Sequence, residues 1–166
     1  DRVCLSLALF HCFGLSTGLL AAFVHGGSLH LSESYHSEDV LKTIERYHCT
    51  VLNGVPTMFL ALIKNKKFAD TDISSLDSGI IAGSTVYRAD FLTVARTLSM
   101  EHLMQSYGQT EAAPSITFSD YDAALEQRAQ SVGKPLEHIQ LRIRSMDAGE
   151  GHKTDMTDSA RDKNGS

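Results

Sequence analysis

Apolar and amphipathic segments alternate along most of the chain. Residues 3–10 are almost continuously apolar, which is typical of a fully buried strand, and the apolar run at 15–24 predicts a buried helix. A second, short strand is predicted at 28–31. The chain is therefore expected to begin with a strand, a helix and another strand.

The next segment predicts an amphipathic helix from residue 37. Ser37 is a candidate N-cap, and Glu38 and Asp39 in the first turn favour the positive end of the helix dipole. Apolar residues follow at helical spacing on one face: Val40, Leu41, Ile44 and Tyr47. That face is expected to be buried.

Strands and helices continue to alternate as far as residue 107. Further strands are predicted at 50–53, 78–82 and 103–107, and a helix is predicted at 56–63, where Pro56 suits the first turn. The buried face of another helix is marked by Phe91, Val94, Ala95 and Leu98.

Repeated alternation of strands and helices predicts an α/β fold. The expected architecture is a mainly parallel sheet with helices on both faces. Near the end, Ile139, Leu141 and Ile143 alternate with polar residues, which predicts a further, half-buried strand. Ligands of parallel sheets bind at the carboxyl ends of the strands, so we expect functional residues there.

Composition excludes some classes of partner. The chain has 166 residues, which is enough for one domain with a core, and its net charge of −5 without a basic patch argues against a nucleic acid partner. Its three cysteines show no CxxC spacing, which favours a reduced, intracellular protein of the cytoplasm or mitochondrion rather than a secreted one.

The apolar window at 3–24 is not expected to span a membrane. His11, Gly14 and Gly18 interrupt it, and no basic segment of a signal peptide precedes it. The chain begins with Asp1 rather than Met, which indicates processing or an interior starting point. Residues 145–166 are polar and aperiodic, so we divide the chain into a domain at 1–144 and a polar tail at 145–166.

The richest chemistry lies at the end of the strand predicted at 103–107, in the run Tyr107-Gly108-Gln109-Thr110-Glu111. The aromatic ring could stack on a base, the hydroxyl could donate to a phosphate, and the carboxylate could hold a divalent cation. The glycine permits a turn that brings the backbone close to a ligand. A strand end with an ordinary turn would also explain the run.

A second pattern favours a serine hydrolase. Gly14-Leu15-Ser16-Thr17-Gly18 matches G-x-S-x-G between a predicted strand and a predicted helix, which is the context of a nucleophile elbow. Asp77 and His102 could complete a triad with Ser16. Such an elbow normally follows several strands, whereas here only one precedes it.

Five segments in order resemble the core motifs of the acyl-adenylating (AMP-binding) superfamily. They are Leu9-Phe10-His11-Cys12-Phe13-Gly14, Gly54-Val55-Pro56-Thr57-Met58-Phe59, Ala82-Gly83-Ser84, Tyr107-Gly108-Gln109-Thr110-Glu111 and Ser131-Val132-Gly133-Lys134-Pro135. The resemblance covers about residues 1–144 and is greatest to medium- and long-chain fatty acid–CoA ligases. It implies part of the large adenylate-forming domain.

The resemblance implies a reaction in two steps. A fatty acid carboxylate attacks the α-phosphate of ATP to give acyl-AMP and pyrophosphate, and the thiol of CoA then displaces AMP. The implied co-substrates and cofactors are ATP or AMP, Mg²⁺ and CoA.

Roles are implied for individual residues by position. In the nucleotide site, Tyr107 would pack on adenine beside Gly108 and Gln109, Thr110 would contact the α-phosphate, and Glu111 would bind Mg²⁺. Gly83 and Ser84 would line the adenine and acyl pocket. On the acid side, the residues are His11 near the carboxylate, and Val55, Pro56 and Met58 near the acyl tunnel.

The sequence also departs from the family pattern. The glycine-rich phosphate loop and the small C-terminal domain with its catalytic lysine are not found in these residues. In the tail, Thr154 and Asp155 faintly resemble the ribose-binding motif, although its intervening glycine is missing, so a random polar tail is equally compatible. We expect a fragment that does not adenylate efficiently by itself, and a non-catalytic nucleotide- or acyl-binding module is a further alternative.

Overall fold

The computed structural model of the chain describes residues 1–32 and 34–143. The tail predicted at 145–166, with Asp155, lies outside the described residues. By its internal contacts the chain divides into two units, Asp1–Leu136 and Glu137–Ser166. All the strands and helices given below belong to the first unit.

The centre of the first unit is a seven-stranded sheet. Its strands, in chain order, are β1 (Arg2–Leu5), β2 (Ser28–Leu31), β3 (Val51–Leu52), β4 (Ser78–Ile81), β5 (His102–Tyr107), β6 (Thr117–Phe118) and β7 (Lys134–Pro135). Their spatial order is β2-β1-β3-β4-β5-β6-β7. Pairing is parallel from β2 through β5 and antiparallel from β5 through β7.

Helical segments connect the strands. They are α1, which is a π-helix at Phe13–Leu20 that continues as an α-helix at Ala21–Val24, then α2 (Ser37–Tyr47), α3 (Pro56–Ile63), α4 (Arg88–Thr97) and α5 (Leu125–Arg128). Short 3₁₀ turns occur at Phe68–Asp70 and Thr110–Ala112. Within the described residues, no helix is both long and apolar enough to cross a membrane.

Helices cover both faces of the sheet, as the alternation predicts. Neighbouring residues of a strand point to opposite faces, so Cys4 and Leu5 of β1 mark the two sides. Cys4 belongs to the main core with α2, α3 and α4, whereas Leu5 meets Gly18 of α1. The main core also contains Val40, Leu41, Ile44, Leu52, Phe59, Leu62, Ile81, Phe91, Val94, Ala95, Leu98 and Leu103.

Two predicted boundaries are wrong in detail. The strand predicted at 3–10 ends at Leu5, because the chain turns before α1 begins at Phe13. Ser37 is the first residue of α2 rather than its N-cap, since His36 holds the extended backbone that a cap requires. The Ser37 hydroxyl instead accepts a 2.6 Å hydrogen bond from Asn65 Nδ2.

The strand predicted from Ile139, Leu141 and Ile143 is also wrong. Residues 139–143 have no regular secondary structure, and the Ile143 side chain is fully in solvent at 85% exposure. A period-two pattern becomes a strand only where its backbone groups meet a ladder partner, which the pattern itself does not provide. Among the described residues, the last strand lies earlier, at Lys134–Pro135.

Candidate functional site

A cavity of about 300 Å³ lies at the carboxyl ends of β1, β4 and β5. Three segments line it: residues 11–13 after β1, residues 82 and 83 after β4, and residues 106, 108–111, 114 and 115 at the end of and after β5. Because these strands are parallel neighbours in the sheet, or nearly so, their carboxyl ends meet at one edge. The cavity is therefore where a ligand of this fold is expected.

The segment after β5 is a tight return loop. Tyr107 pairs with Thr117 across an antiparallel ladder, and the Ile116 N–H donates to the Tyr107 carbonyl at 2.8 Å. A Cβ on Gly108 would lie 1.7 Å from the Pro114 carbonyl oxygen. The loop can close only with glycine at this position, because two backbones approach each other there.

His11 and Thr110, which are almost a hundred residues apart, meet at the cavity around Cys12. The Cys12 thiol lies 3.5 Å from Thr110 Oγ1, to which it donates, and 3.9 Å from His11 Nδ1. His11 Nδ1 accepts from the backbone N–H of Phe13 at 3.2 Å, so the neutral ring carries its proton on Nε2. The free Nε2–H can donate to an anionic ligand.

Glu111 presents an exposed carboxylate to the cavity. Among the described residues it has no ion-pair partner, so its charge is available to a cation. Magnesium is usually held by one or two carboxylates together with water and substrate phosphates. The carboxylate therefore fits the metal role that the sequence indicates.

The Gly83 backbone closes the side of the cavity next to Val55. Gly83 has φ +85°, which favours glycine, and a Cβ there would lie 3.0 Å from Val55 Cγ1. Ser84 follows as an exposed residue outside the cavity lining. Tyr107 is also outside the lining, although its neighbours Ser106 and Gly108 belong to it, and the residue is 48% exposed.

The other residues assigned to an acyl tunnel are not in this cavity. Pro56 is buried as the first residue of α3. Met58 lines a separate crevice with Ser6 and Tyr35, which has no room for even a water molecule. The tunnel assignment of Val55, Pro56 and Met58 stays a prediction.

The structure does not assemble the hydrolase triad that the sequence allows. Ser16 lies in α1, shortly after the carboxyl end of β1. Asp77 and His102 lie at the amino ends of β4 and β5, which are at the opposite edge of the sheet. The G-x-S-x-G match is therefore part of a helix start without its acid and base.

Arg128 is a buried residue that holds β5 in place. No role is predicted for it from the sequence. Its guanidinium donates to the carbonyls of Leu103, at 2.9 Å, and Glu101. Its own carbonyl accepts from Gln105 Nε2 at 2.7 Å. Burial lowers the pKa of the Arg128 guanidinium, an effect that the nearby Glu101 carboxylate opposes. Arg128 thus ties α5 to β5, the strand that bears Tyr107 and its loop.

Little in the sequence could have revealed this role. Arg128 stands among mostly polar residues at 126–130, and such a segment is normally solvent-exposed. Cys12 was part of a recognised motif, but its contact with Thr110 depends on strand order. Both contacts join residues far apart in the chain, so no short stretch of sequence indicates them.

Comparisons with known proteins agree with the geometry. A family model described as "AMP-binding enzyme" matches residues 1–156. The chain is 37% identical over 143 residues to the putative acyl-CoA synthetase YngI of Bacillus subtilis, which is 86% of this chain and 26% of that protein. It is 34% identical to the human mitochondrial medium-chain acyl-CoA ligase ACSF2, over 89% of this chain and 24% of that protein.

A solved structure gives the same result. The O-succinylbenzoate coenzyme A synthetase MenE of Bacillus subtilis, in complex with ATP and magnesium ion, superposes with a TM-score of 0.70 at 26% identity. The match covers 88% of this chain and 29% of MenE. The chain spans about a quarter of the length of the curated relatives it matches.

Proposed function

Because this chain belongs to the AMP-binding enzyme family, we propose that it forms part of an acid–CoA ligase that activates a carboxylic acid with ATP. The observation that carries the proposal is the cavity at the carboxyl ends of β1, β4 and β5, where His11, Thr110 and Glu111 meet. Those residues come from two motifs almost a hundred residues apart, and Gly83 of a third motif also lines the cavity. Their convergence on one cavity supports a shared ligand.

In the proposed reaction, a carboxylate oxygen attacks the α-phosphorus of ATP and pyrophosphate leaves. The sulfur of CoA then attacks the acyl carbon, and AMP leaves. The Thr110 hydroxyl donates to an α-phosphate oxygen, and the Nε2–H of His11 orients the incoming carboxylate. These are interactions of position and charge, and neither side chain forms a covalent bond.

We assign adenine to the rim of the cavity. The exposed ring of Tyr107 offers a stacking face, while Gly83, Ser84, Gly108 and Gln109 bring backbone close to the nucleotide. Glu111 would hold Mg²⁺, which when bound neutralises phosphate charge. Titration of Glu111→Gln with ATP, with and without Mg²⁺, tests this role: we expect the variant to lose the tighter binding that Mg²⁺ gives the wild type.

We further propose a medium- or long-chain fatty acid as the substrate, with Val55, Pro56 and Met58 beside its chain. The name of the human relative, a medium-chain acyl-CoA ligase, supports this choice. We also propose an intracellular location, in cytoplasm or mitochondrion, which the mitochondrial relative supports. Cell fractionation tests the location, and recovery of the protein from the medium would contradict it.

Loss of the Tyr107 ring is expected to weaken adenine binding. Stacking of a base on an aromatic side chain contributes about 1–3 kcal/mol, so Tyr107→Ala should weaken binding of AMP by about 5- to 150-fold. Calorimetric titration with AMP and with a non-hydrolysable acyl-AMP analogue measures the effect. Tyr47→Ala removes a ring of similar exposure, 39%, from the far end of α2 and should bind like the wild type. Equal affinities of the wild type and Tyr107→Ala would refute the stacking role.

The 166-residue chain alone is expected to be a poor catalyst. Its residues include neither a lysine-bearing phosphate loop nor a second catalytic lysine domain, and those groups supply transition-state contacts in the proposed reaction. A fatty-acid-dependent ATP–pyrophosphate exchange assay checks this. Nucleotide binding without exchange is the expected outcome, and robust exchange would overturn it. Labelling of Ser16 by a fluorophosphonate would instead support a hydrolase.

A further inference from the structure

A group of three metal-ligating side chains lies at the amino edge of the sheet, opposite the cavity described above. Asp77 immediately precedes β4, and Glu101 and His102 lie at the start of β5. One ligand atom of each residue lies within 4.8 Å of the other two. In the described part of the chain, no other group of three potential ligand side chains comes this close together.

The backbone brings these side chains together and holds them in register. Ser78 pairs with His102 in the parallel ladder between β4 and β5. The His102 N–H donates to the Asp77 carbonyl at 2.9 Å. The proximity of the three side chains therefore follows from strand pairing rather than from chance rotamers of a mobile surface.

The His102 ring is fixed in place and lacks a polar partner. It stacks on Tyr121 with a centroid separation of 4.1 Å and an interplanar angle of 9°. Its Nδ1 is buried and has no hydrogen-bond partner among the described residues. A buried nitrogen without a partner is costly, and a metal bond or hydrogen bond to Nδ1 itself would relieve that cost.

The surroundings carry excess negative charge. Asp77 and Glu101 place carboxylates beside the His102 ring, and Asp122 and Arg128 line the same cavity as Glu101 and His102. Three carboxylates therefore face one guanidinium at this edge. Arg128 directs donors to backbone carbonyls, and in the described part of the chain none of these three carboxylates forms an ion pair. A divalent cation would neutralise the remaining charge.

We propose that Asp77, Glu101 and His102 bind a divalent transition-metal ion of the Zn²⁺ type. An imidazole nitrogen with two carboxylate oxygens suits Zn²⁺, and water would complete its coordination. Ligands at about 2.0–2.2 Å from zinc lie closer together than 4.8 Å, so the side chains must move slightly to bind the ion. Glu101 is exposed and can change its rotamer to do so. A cavity of about 460 Å³, lined by Glu101 and His102 among others, gives solvent access.

The ion would act as a structural clamp. It would join the amino ends of β4 and β5, whose carboxyl ends carry Gly83 and Tyr107. Being at the opposite edge of the sheet, it would not touch the proposed nucleotide. Failure of this proposal therefore leaves the proposed ligase function intact, and the reverse also holds.

Zinc titration of the metal-free chain tests the proposal. We expect one saturable site in calorimetry and a rise in Tm of about 5–10 °C when free Zn²⁺ reaches about 100 times the Kd. His102→Gln should weaken binding by more than about tenfold, since even outer-shell changes cost about 10- to 100-fold. Asp77→Asn should do the same while keeping the side-chain shape.

A matched control is available in His30, which stacks on Tyr47 at 4.2 Å and 15° but belongs to no three-residue metal-ligating group among the described residues. His30→Gln should bind zinc like the wild type. Cobalt substitution provides a second readout that does not depend on the variants, and the expected spectrum has nitrogen and oxygen ligands only. No saturable site, equal affinity of His102→Gln and the wild type, or a sulfur-to-cobalt charge-transfer band indicating Cys12 would overturn the proposal.

Discussion

Replacing Gly108 with alanine is expected to abolish measurable AMP binding and to lower the free energy of unfolding by about 1–3 kcal/mol. The added Cβ would lie 1.7 Å from the Pro114 carbonyl oxygen and 2.6 Å from its carbonyl carbon. These are backbone atoms, so no side-chain rotation can relieve the clash. The loop must open, which displaces Thr110 and Glu111 from the cavity.

Calorimetry with AMP and urea denaturation measure the two effects of Gly108→Ala. Gly26→Ala is the control: its φ of +66° disfavours alanine by about 1–2 kcal/mol, but no atom beyond the two neighbouring residues lies within 4 Å of the added Cβ. The two variants should thus be similarly destabilised, while only the Gly108 variant loses AMP binding. If both bind AMP normally, the loop does not form the nucleotide site.

Replacing Arg128 with methionine is expected to lower the free energy of unfolding by about 3 kcal/mol. The side chain is 4% exposed and donates to the carbonyls of Leu103 and Glu101. Hydrogen bonds from a charged donor contribute about 1.5–3 kcal/mol each, and removing the buried charge offsets part of their loss. Its Nε has no partner among the described residues, so no third bond is lost.

Arg96→Met provides the matched control for this variant. The Arg96 side chain is 63% exposed, and its one ion-pair partner in the described ranges is Glu126, which also pairs with Arg88. An exposed ion pair of this kind contributes at most about 1 kcal/mol. Urea denaturation followed by circular dichroism compares the two variants. Equal losses of stability would show that the buried arginine is not an anchor of β5.

Helix α3 and strand β2 begin and end where the sequence predicts. Pro56 marks the start of α3 because its fixed φ suits the first helical turn and its missing N–H is not needed there. Ser28–Leu31 is bounded by glycine on its amino side. Such boundaries are readable because the chemistry that sets them lies within a few residues.

Equally clear periodicity predicts a strand at residues 139–143, and this strand does not form. Its apolar alternation resembles that of a half-buried strand, yet the residues have no regular structure. A strand needs a partner strand for its hydrogen bonds and other residues to bury its apolar face, and both come from elsewhere in the chain. Alternation of apolar and polar residues therefore does not by itself produce a strand. Ser37 is a similar case: its hydroxyl is expected to cap the helix, but it accepts a hydrogen bond from the distant Asn65 side chain.

The sequence by itself determined the alternating α/β order, the position of Tyr107–Glu111 at the end of a strand and, through five ordered motifs, the family. These features depend on local periodicity and on residue types at short spacing. Only the tertiary structure decided which strand ends meet. Strand order places Cys12 next to Thr110, and Asp77 next to Glu101 and His102. Packing of α5 on the sheet places the buried Arg128 against β5. The sequence specifies the chemistry of each side chain, but which distant residues come into contact depends on the packing and hydrogen bonding of the whole sheet.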